Sequence, residues 1–170
     1  MKKILIVEDD RKIALAVAVR LKANGYEVLT AFDAMAGLSL CVKHLPDLVI
    51  LDISMPAGSG FDVAAQIRNL APTAATPLIF MTASRNPEFL TKAAELGAVA
   101  FIEKPFDDGE LISDVRHALG EAPPPTGPAA QENAKVGTRN GEEKRRVCRP
   151  MADPSLTEMG ASTRPQQSVN

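Results

Sequence analysis

The feature that most constrains this chain is a fivefold alternation of short apolar runs with longer amphipathic stretches. The runs are "KILIV" (3–7), "YEVLT" (26–30), "LVIL" (48–51), "PLIFM" (77–81) and "AVAFI" (98–102). Runs this short and this continuous suit strands buried on both faces of a sheet. "YEVLT" alternates more than the others and suits an edge. Between the runs the period changes to that of a helix. Residues 10–24 place Ile13, Val17 and Leu21 on one face and end at Gly25. Residues 33–45, after an Asp33 cap, place Leu38, Cys41, Val42 and Leu45 at i, i+3, i+4 and i+7. A third helix is predicted over 59–70. A fourth opens with Asn86 as cap and Pro87 at the first helical position and stops at Gly97; a fifth runs from 107 to 119 before Gly120. Strict β-α alternation predicts an α/β fold with a parallel sheet covered by helices on both faces. At this length the natural closure is a doubly wound five-stranded sheet in the order 2-1-3-4-5. Its ligand site lies beyond the carboxyl ends of the strands, where the winding switches between strands 1 and 3.

The alternation stops near residue 120. Residues 121–170 hold seven of the thirteen prolines and no aromatic residue, so 1–120 is read as the domain and 121–170 as a Pro-rich, disordered tail without an output domain. The net charge is −3 for 1–120 and +1 for the tail, which gives the −2 of the chain and points to no strongly charged partner. No run approaches the roughly 18 apolar residues of a membrane span, so no membrane partner is expected. The opening "MKKILIVEDD" breaks into acids after four apolar residues, which makes it a strand rather than a signal peptide and favours the cytoplasm. Cys41 and Cys148 have no metal-like spacing. His44 and His117 fall near helix C-termini, where the helix dipole accounts for them.

The residues that follow the strands carry the chemistry. Glu8 and Asp9 follow strand 1, Asp52 follows strand 3, Thr82 follows strand 4 and Lys104 follows strand 5. Taken singly each has a plain explanation: an acid capping a helix, a threonine in a turn, a surface lysine. Taken together they all fall on the one edge where this fold places its site. Converging carboxylates repel, at about 4 kcal/mol for two charges ~4 Å apart at an effective dielectric near 20. A hard cation relieves that repulsion, and an oxygen-only donor set suits Mg²⁺. With a lysine and a hydroxyl donor nearby, the set fits phosphoryl transfer, with Asp52 as the nucleophile that forms an acyl phosphate.

The stretches "ILIVEDD", "DLVILDISMP" with Gly60, "MTAS" and "GAVAFIEKPF" span residues 1–120 and resemble the receiver domain of bacterial two-component response regulators, in its single-domain, chemotaxis-regulator-like form. The resemblance implies a flavodoxin-like fold and transfer of phosphate to Asp52 from the phosphohistidine of a sensor histidine kinase or a phosphotransfer protein. It implies Mg²⁺ held by Glu8, Asp9, Asp52 and the backbone carbonyl of Ser54, with Thr82 and Lys104 on the phosphoryl oxygens and a cis bond between Lys104 and Pro105. It also implies a switch: Thr82 moves inward, and Phe101 turns into the vacated space and remodels the face formed by helix 4, strand 5 and helix 5. Phe101 stands where the family often has Tyr, and without the hydroxyl inward burial is favoured. Ser54 and Ser84 occupy the positions that tune dephosphorylation. Ser59 replaces the usual acid before Gly60 and can still cap helix 3.

Two rival folds fail on chemistry. A flavin binder needs a phosphate loop after strand 1, where this chain has Glu8-Asp9-Asp10; a haloacid-dehalogenase-type phosphatase needs an acid where this chain has Ser54. The expected function is therefore a non-enzymatic signalling switch that catalyses only its own phosphorylation and dephosphorylation. Its downstream partner is a protein of unknown identity, with room for a phosphorylation-dependent homodimer. Specific DNA binding is not expected, and the basic "KRRVCR" of 144–149 reads as solvated. The alternative is a phosphate-independent adaptor with the same fold, against which the presence of Asp52, Thr82 and Lys104 argues.

Overall fold

The computed structural model describes residues 1–122 except Ala57 and Arg85, so the expectations for the tail, Cys148 and the 144–149 cluster lie outside the described residues. In chain order the elements are β1 (Lys3–Val7), α1 (Arg11–Ala23), β2 (Glu27–Ala31), α2 (Ala34–His44), β3 (Leu48–Asp52), α3 (Gly60–Asn69), β4 (Leu78–Thr82), α4 (Pro87–Glu95), β5 (Ala100–Glu103) and α5 (Asp108–Ala118). The five strands form one parallel sheet in the order β2-β1-β3-β4-β5, as the alternation predicts.

Successive side chains on each strand point to opposite faces, and this splits the core in two. Leu5, Val7, Val49, Leu51, Leu78 and Phe80 face α2, α3 and α4. Ile4, Ile6, Leu48, Ile50, Ile79 and Met81 face α1 and α5. All twelve side chains are fully buried. At about 1.5–3 kcal/mol for each large aliphatic side chain removed from water, the three central strands anchor everything at their tips.

The helix starts follow the caps read from the sequence. Asp10 accepts from the Lys12 and Ile13 N–H groups, Asp33 from Ala36, and Asn86 from Glu88 with Pro87 in the first turn. Ser59 caps α3 in a reciprocal capping box with Asp62. Gly25, Gly97 and Gly120 take positive φ just past α1, α4 and α5.

Three strand starts differ from the pattern, each for a local reason. β2 begins at Glu27 because the Tyr26 N–H closes the end of α1 on Leu21 O. β4 begins at Leu78 because Pro77 has no N–H to give, although its carbonyl accepts from Val49. β5 begins at Ala100 because the Ala98 N–H is spent on Ala93 O at the end of α4. The buried face of α2 is also rotated. Gly37 lies so close to β1 that an added Cβ would sit 2.8 Å from both Val7 γ-methyls. The face therefore centres on Gly37 and Cys41, which leaves Val42 45 % and Leu45 55 % exposed. Leu45 leaves the helix at φ 45°.

Asp52 is the last residue of β3, and its backbone meets the start of α3. The Gly60 N–H donates to Ile53 O, and a Cβ on Gly60 would stand 2.2 Å from the Asp52 carbonyl oxygen. Gly60 is thus required by close approach, whereas Gly58, at φ 141°, supplies the turn. Gly60→Ala forces these two backbones apart and is expected to destabilise the fold by about 2 kcal/mol or more. Urea unfolding reads this as a lowered midpoint with an unchanged slope; an unchanged midpoint would contradict the close-approach account.

Candidate functional site

The strand ends bring the predicted residues to one edge. The Glu8 N–H donates to Ala31 O at the end of β2, and this turns the Glu8 side chain inward, where it is 1 % exposed. Asp52 is paired with Met81 across β3 and β4, and is 3 % exposed. Thr82 ends β4 opposite Glu103 and is fully buried. The Lys104 N–H donates to Thr82 O at 2.7 Å, which continues the ladder one residue beyond β5, and the Lys104–Pro105 bond is cis.

Carboxylate oxygens of Glu8, Asp9 and Asp52 lie within 4.8 Å of one another, the one such acidic group among the described residues. At that distance each pair of charges repels by about 3–4 kcal/mol at an effective dielectric near 20. Lys104 offsets part of this. Its Nζ donates to Glu8 Oε2 at 2.5 Å and to Asp52 Oδ1 at 3.0 Å, and its side chain is only 14 % exposed. Burial works against the ammonium charge, but the hydrogen bonds it donates to Glu8 and Asp52 outweigh that and hold Lys104 above the ordinary lysine range. Burial pushes the Glu8 carboxyl upward, the Asp52 charge adds to this, and the Lys104 hydrogen bond opposes it. By formal charge, three carboxylates against one ammonium sum to −2. A divalent cation with oxygen preference fits that deficit, and the more open Asp9, which Lys104 does not bridge, leaves it a side of entry.

Thr82 is engaged differently from a free donor. Its Oγ1 accepts from the Ser84 N–H at 3.0 Å, the turn that its residue type allows. A hydroxyl that accepts keeps its own proton to give to an oxyanion. Ser54 is exposed, two residues beyond Asp52. Phe101 pairs with Phe80 across β4 and β5 and lies half-buried on the α4 side of the sheet, in the same cluster as Phe89 and Leu96. A cleft of about 460 Å³ opens beside Lys104, lined by Ile13, Val17 and Arg20 of α1 and by Pro105 and Phe106. The bridging of two carboxylates by Lys104 is not readable from the sequence, because a contact across 96 residues leaves no local pattern.

Comparison with known proteins identifies the family of this chain. Residues 4–116 match the model of the response regulator receiver domain family. The chain is 35 % identical over 119 residues to the DNA-binding dual master transcriptional regulator RpaA of Synechocystis, which covers 70 % of this chain and 49 % of that protein. It is 33 % identical over 148 residues to the response regulator ArlR of Staphylococcus aureus, covering 84 % of this chain and 66 % of that one. The chain thus spans about half the length of the first of these curated relatives. Among solved structures, the chemotaxis protein CheY4 of Vibrio cholerae superposes with a TM-score of 0.67 at 31 % identity, over 70 % of this chain and 99 % of that one. The response regulator TrrA of Thermotoga maritima, in complex with Mg²⁺ and beryllofluoride, superposes with a TM-score of 0.63 at 33 % identity, over 70 % of this chain and all of the other. The chain belongs to the response regulator receiver domain family.

Proposed function

We propose that this protein is a phosphorylation-dependent switch of a two-component or phosphorelay system, with Asp52 as the phosphoacceptor. The observation that carries the reading is the buried Asp52 carboxylate held at the strand tip by Lys104, with Glu8 and Asp9 beside it. An Asp52 carboxylate oxygen attacks the phosphorus of a phosphohistidine on a sensor kinase or phosphotransfer protein. The P–O bond forms as the P–N bond breaks, and the imidazole leaves. The cleft between α1 and Lys104 offers the donor a surface to dock against beside the site. Lys104 then exchanges a carboxylate contact for a phosphoryl oxygen, and the Thr82 hydroxyl donates to another. Glu8, Asp9, Asp52 and the Ser54 carbonyl would hold Mg²⁺, which supplies charge neutralisation for the transferring group. Receiver domains are non-enzymatic signalling domains, and the only chemistry assigned to this one is on its own aspartate.

Phosphorylation is read out through α4, β5 and α5. Withdrawal of Thr82 empties space beside β4, and Phe101 moves inward from its half-buried position to fill it. Moving such an equilibrium from about 1 % to about 99 % active takes ~5.5 kcal/mol of bias. The partner of this face is a downstream protein or a second copy of the chain. The domain occupies residues 1–120 and acts in the cytoplasm. No helix among the described residues is long and apolar enough to cross a membrane. The transcriptional activity of the longer relatives stays with those proteins.

Asp52→Ala is expected to abolish labelling by a small phosphodonor such as acetyl phosphate, while far-ultraviolet circular dichroism stays native; retained labelling would refute the acceptor assignment. Ser54 and Ser84 are both too small to shield the acyl phosphate from water. A phosphoryl lifetime that is not unusually long is therefore expected from acid-quenched decay of labelled protein, and a half-life of many hours would contradict it.

A further inference from the structure

The two ends of α4 are held in different ways. At its N-terminal end three hydrogen bonds climb from β4 in steps of two residues. The Ser84 N–H donates to Thr82 Oγ1 at 3.0 Å, the Asn86 N–H to Ser84 Oγ at 3.3 Å, and the Glu88 N–H to Asn86 Oδ1 at 3.0 Å. Each link is a side-chain oxygen holding a backbone N–H, so the Thr82 hydroxyl is wired through Ser84 to the cap of α4. The Ser84–Asn86 link is the longest of the three and therefore the weakest.

At its C-terminal end α4 is clamped by the guanidinium of Arg68, at the end of α3. Nε donates to Leu96 O at 2.9 Å and Nη2 to Gly97 O at 3.1 Å, while Nη1 donates to Ala74 O at 2.8 Å and Thr76 O at 2.6 Å. Four backbone carbonyls from two segments thus share one rigid cation, which also faces the negative end of the α4 dipole. The segment on the far side of the clamp is fixed in turn by the buried Thr73, whose hydroxyl donates to Ile67 O and Leu70 O. Between the ends, Ala93 alone of the α4 residues is fully buried, in the second half of the helix. In the first half Phe89 rests edge-on against Phe61 at 5.5 Å, a contact without hydrogen-bond directionality.

We propose that α4 is a lever, pinned at its C-terminal end by Arg68 and driven at its N-terminal end through the Thr82–Ser84–Asn86 ladder, with Ser84 and Arg68 as its positioning residues. The proposal rests on the phosphoacceptor reading of Asp52 and names the residues that carry its signal. When Thr82 turns its hydroxyl toward a phosphoryl oxygen, the Ser84 N–H loses its acceptor and the loop that caps α4 is released. Charge-assisted bonds to Arg68 are individually stronger than the neutral links of the ladder, so the N-terminal end moves and the C-terminal end stays.

The test is amide NMR of the full chain at saturating Mg²⁺ and beryllofluoride, where any change in affinity leaves the amplitudes untouched. Ile53 and Gly60 report the site, Phe89 and Leu90 the driven end, and Leu96 and Gly97 the pivot. In the native chain the shift changes at Phe89 and Leu90 are expected to exceed those at Leu96 and Gly97 several-fold. Ser84→Ala should lower the Phe89 and Leu90 response by half or more while Ile53 and Gly60 still respond, and Ser84→Thr should restore it. Arg68→Met should raise the response at Leu96 and Gly97 to that of the driven end, with Arg68→Lys intermediate. An even response along α4 in the native chain, or full transmission in Ser84→Ala, overturns the lever alone. Silence at Ile53 and Gly60 in the native chain overturns the acceptor reading and the lever with it.

Discussion

The interaction on which the rest depends is the Lys104 ammonium held between Glu8 and Asp52. Without it the β1 and β3 tips would present buried carboxylates to each other with no internal cation, and burial of unpaired charge is among the costliest things a fold can contain. Lys104 comes from the far side of β4, so its bridge needs β1, β3, β4 and β5 in their observed order. The site and the sheet topology are in that sense one structure. Because Lys104 cancels only part of the negative charge, the cluster stays primed for a cation and for a group that gives Lys104 a better anion.

Much of this was legible in the sequence because a sheet covered on both faces writes its strands as unbroken apolar runs. Leu48–Leu51 and Ile4–Val7 could not be mistaken, and the polar residue after each run fell on the site edge by topology alone. The caps Asp33, Ser59 and Asn86 were equally plain, since each acts within three residues of itself. What escaped were effects set by contacts distant in the chain. Val42 and Leu45 looked like part of a buried stripe, but the close seat of Gly37 on Val7 turned that face outward. The sequence carried no sign that Gly60 is a point of close backbone approach to Asp52. Thr82 had two sequence readings, turn residue and phosphoryl donor. In the structure its hydroxyl is occupied in the turn, and that turn leads to α4.

That last point gives the switch a physical starting position. Thr82 Oγ1 accepts from the Ser84 N–H and keeps its own proton to give, so under the proposed switch a turn of the hydroxyl toward a phosphoryl oxygen takes the acceptor away from Ser84. A helix with a single fully buried residue has little buried surface to lose when it shifts. At the opposite end of α4, Arg68 donates to Leu96 O and Gly97 O and ties them to Ala74 O and Thr76 O of the neighbouring segment.

The most direct test of the central claim is chemical mapping of the phosphorylated residue. Treating the chain with acetyl phosphate and Mg²⁺ and reducing the acyl phosphate with borohydride converts a phosphorylated aspartate to homoserine, which peptide mass spectrometry locates. The account predicts homoserine at position 52 and nowhere else. Modification at another acid, or none under conditions where the fold is intact, would contradict it.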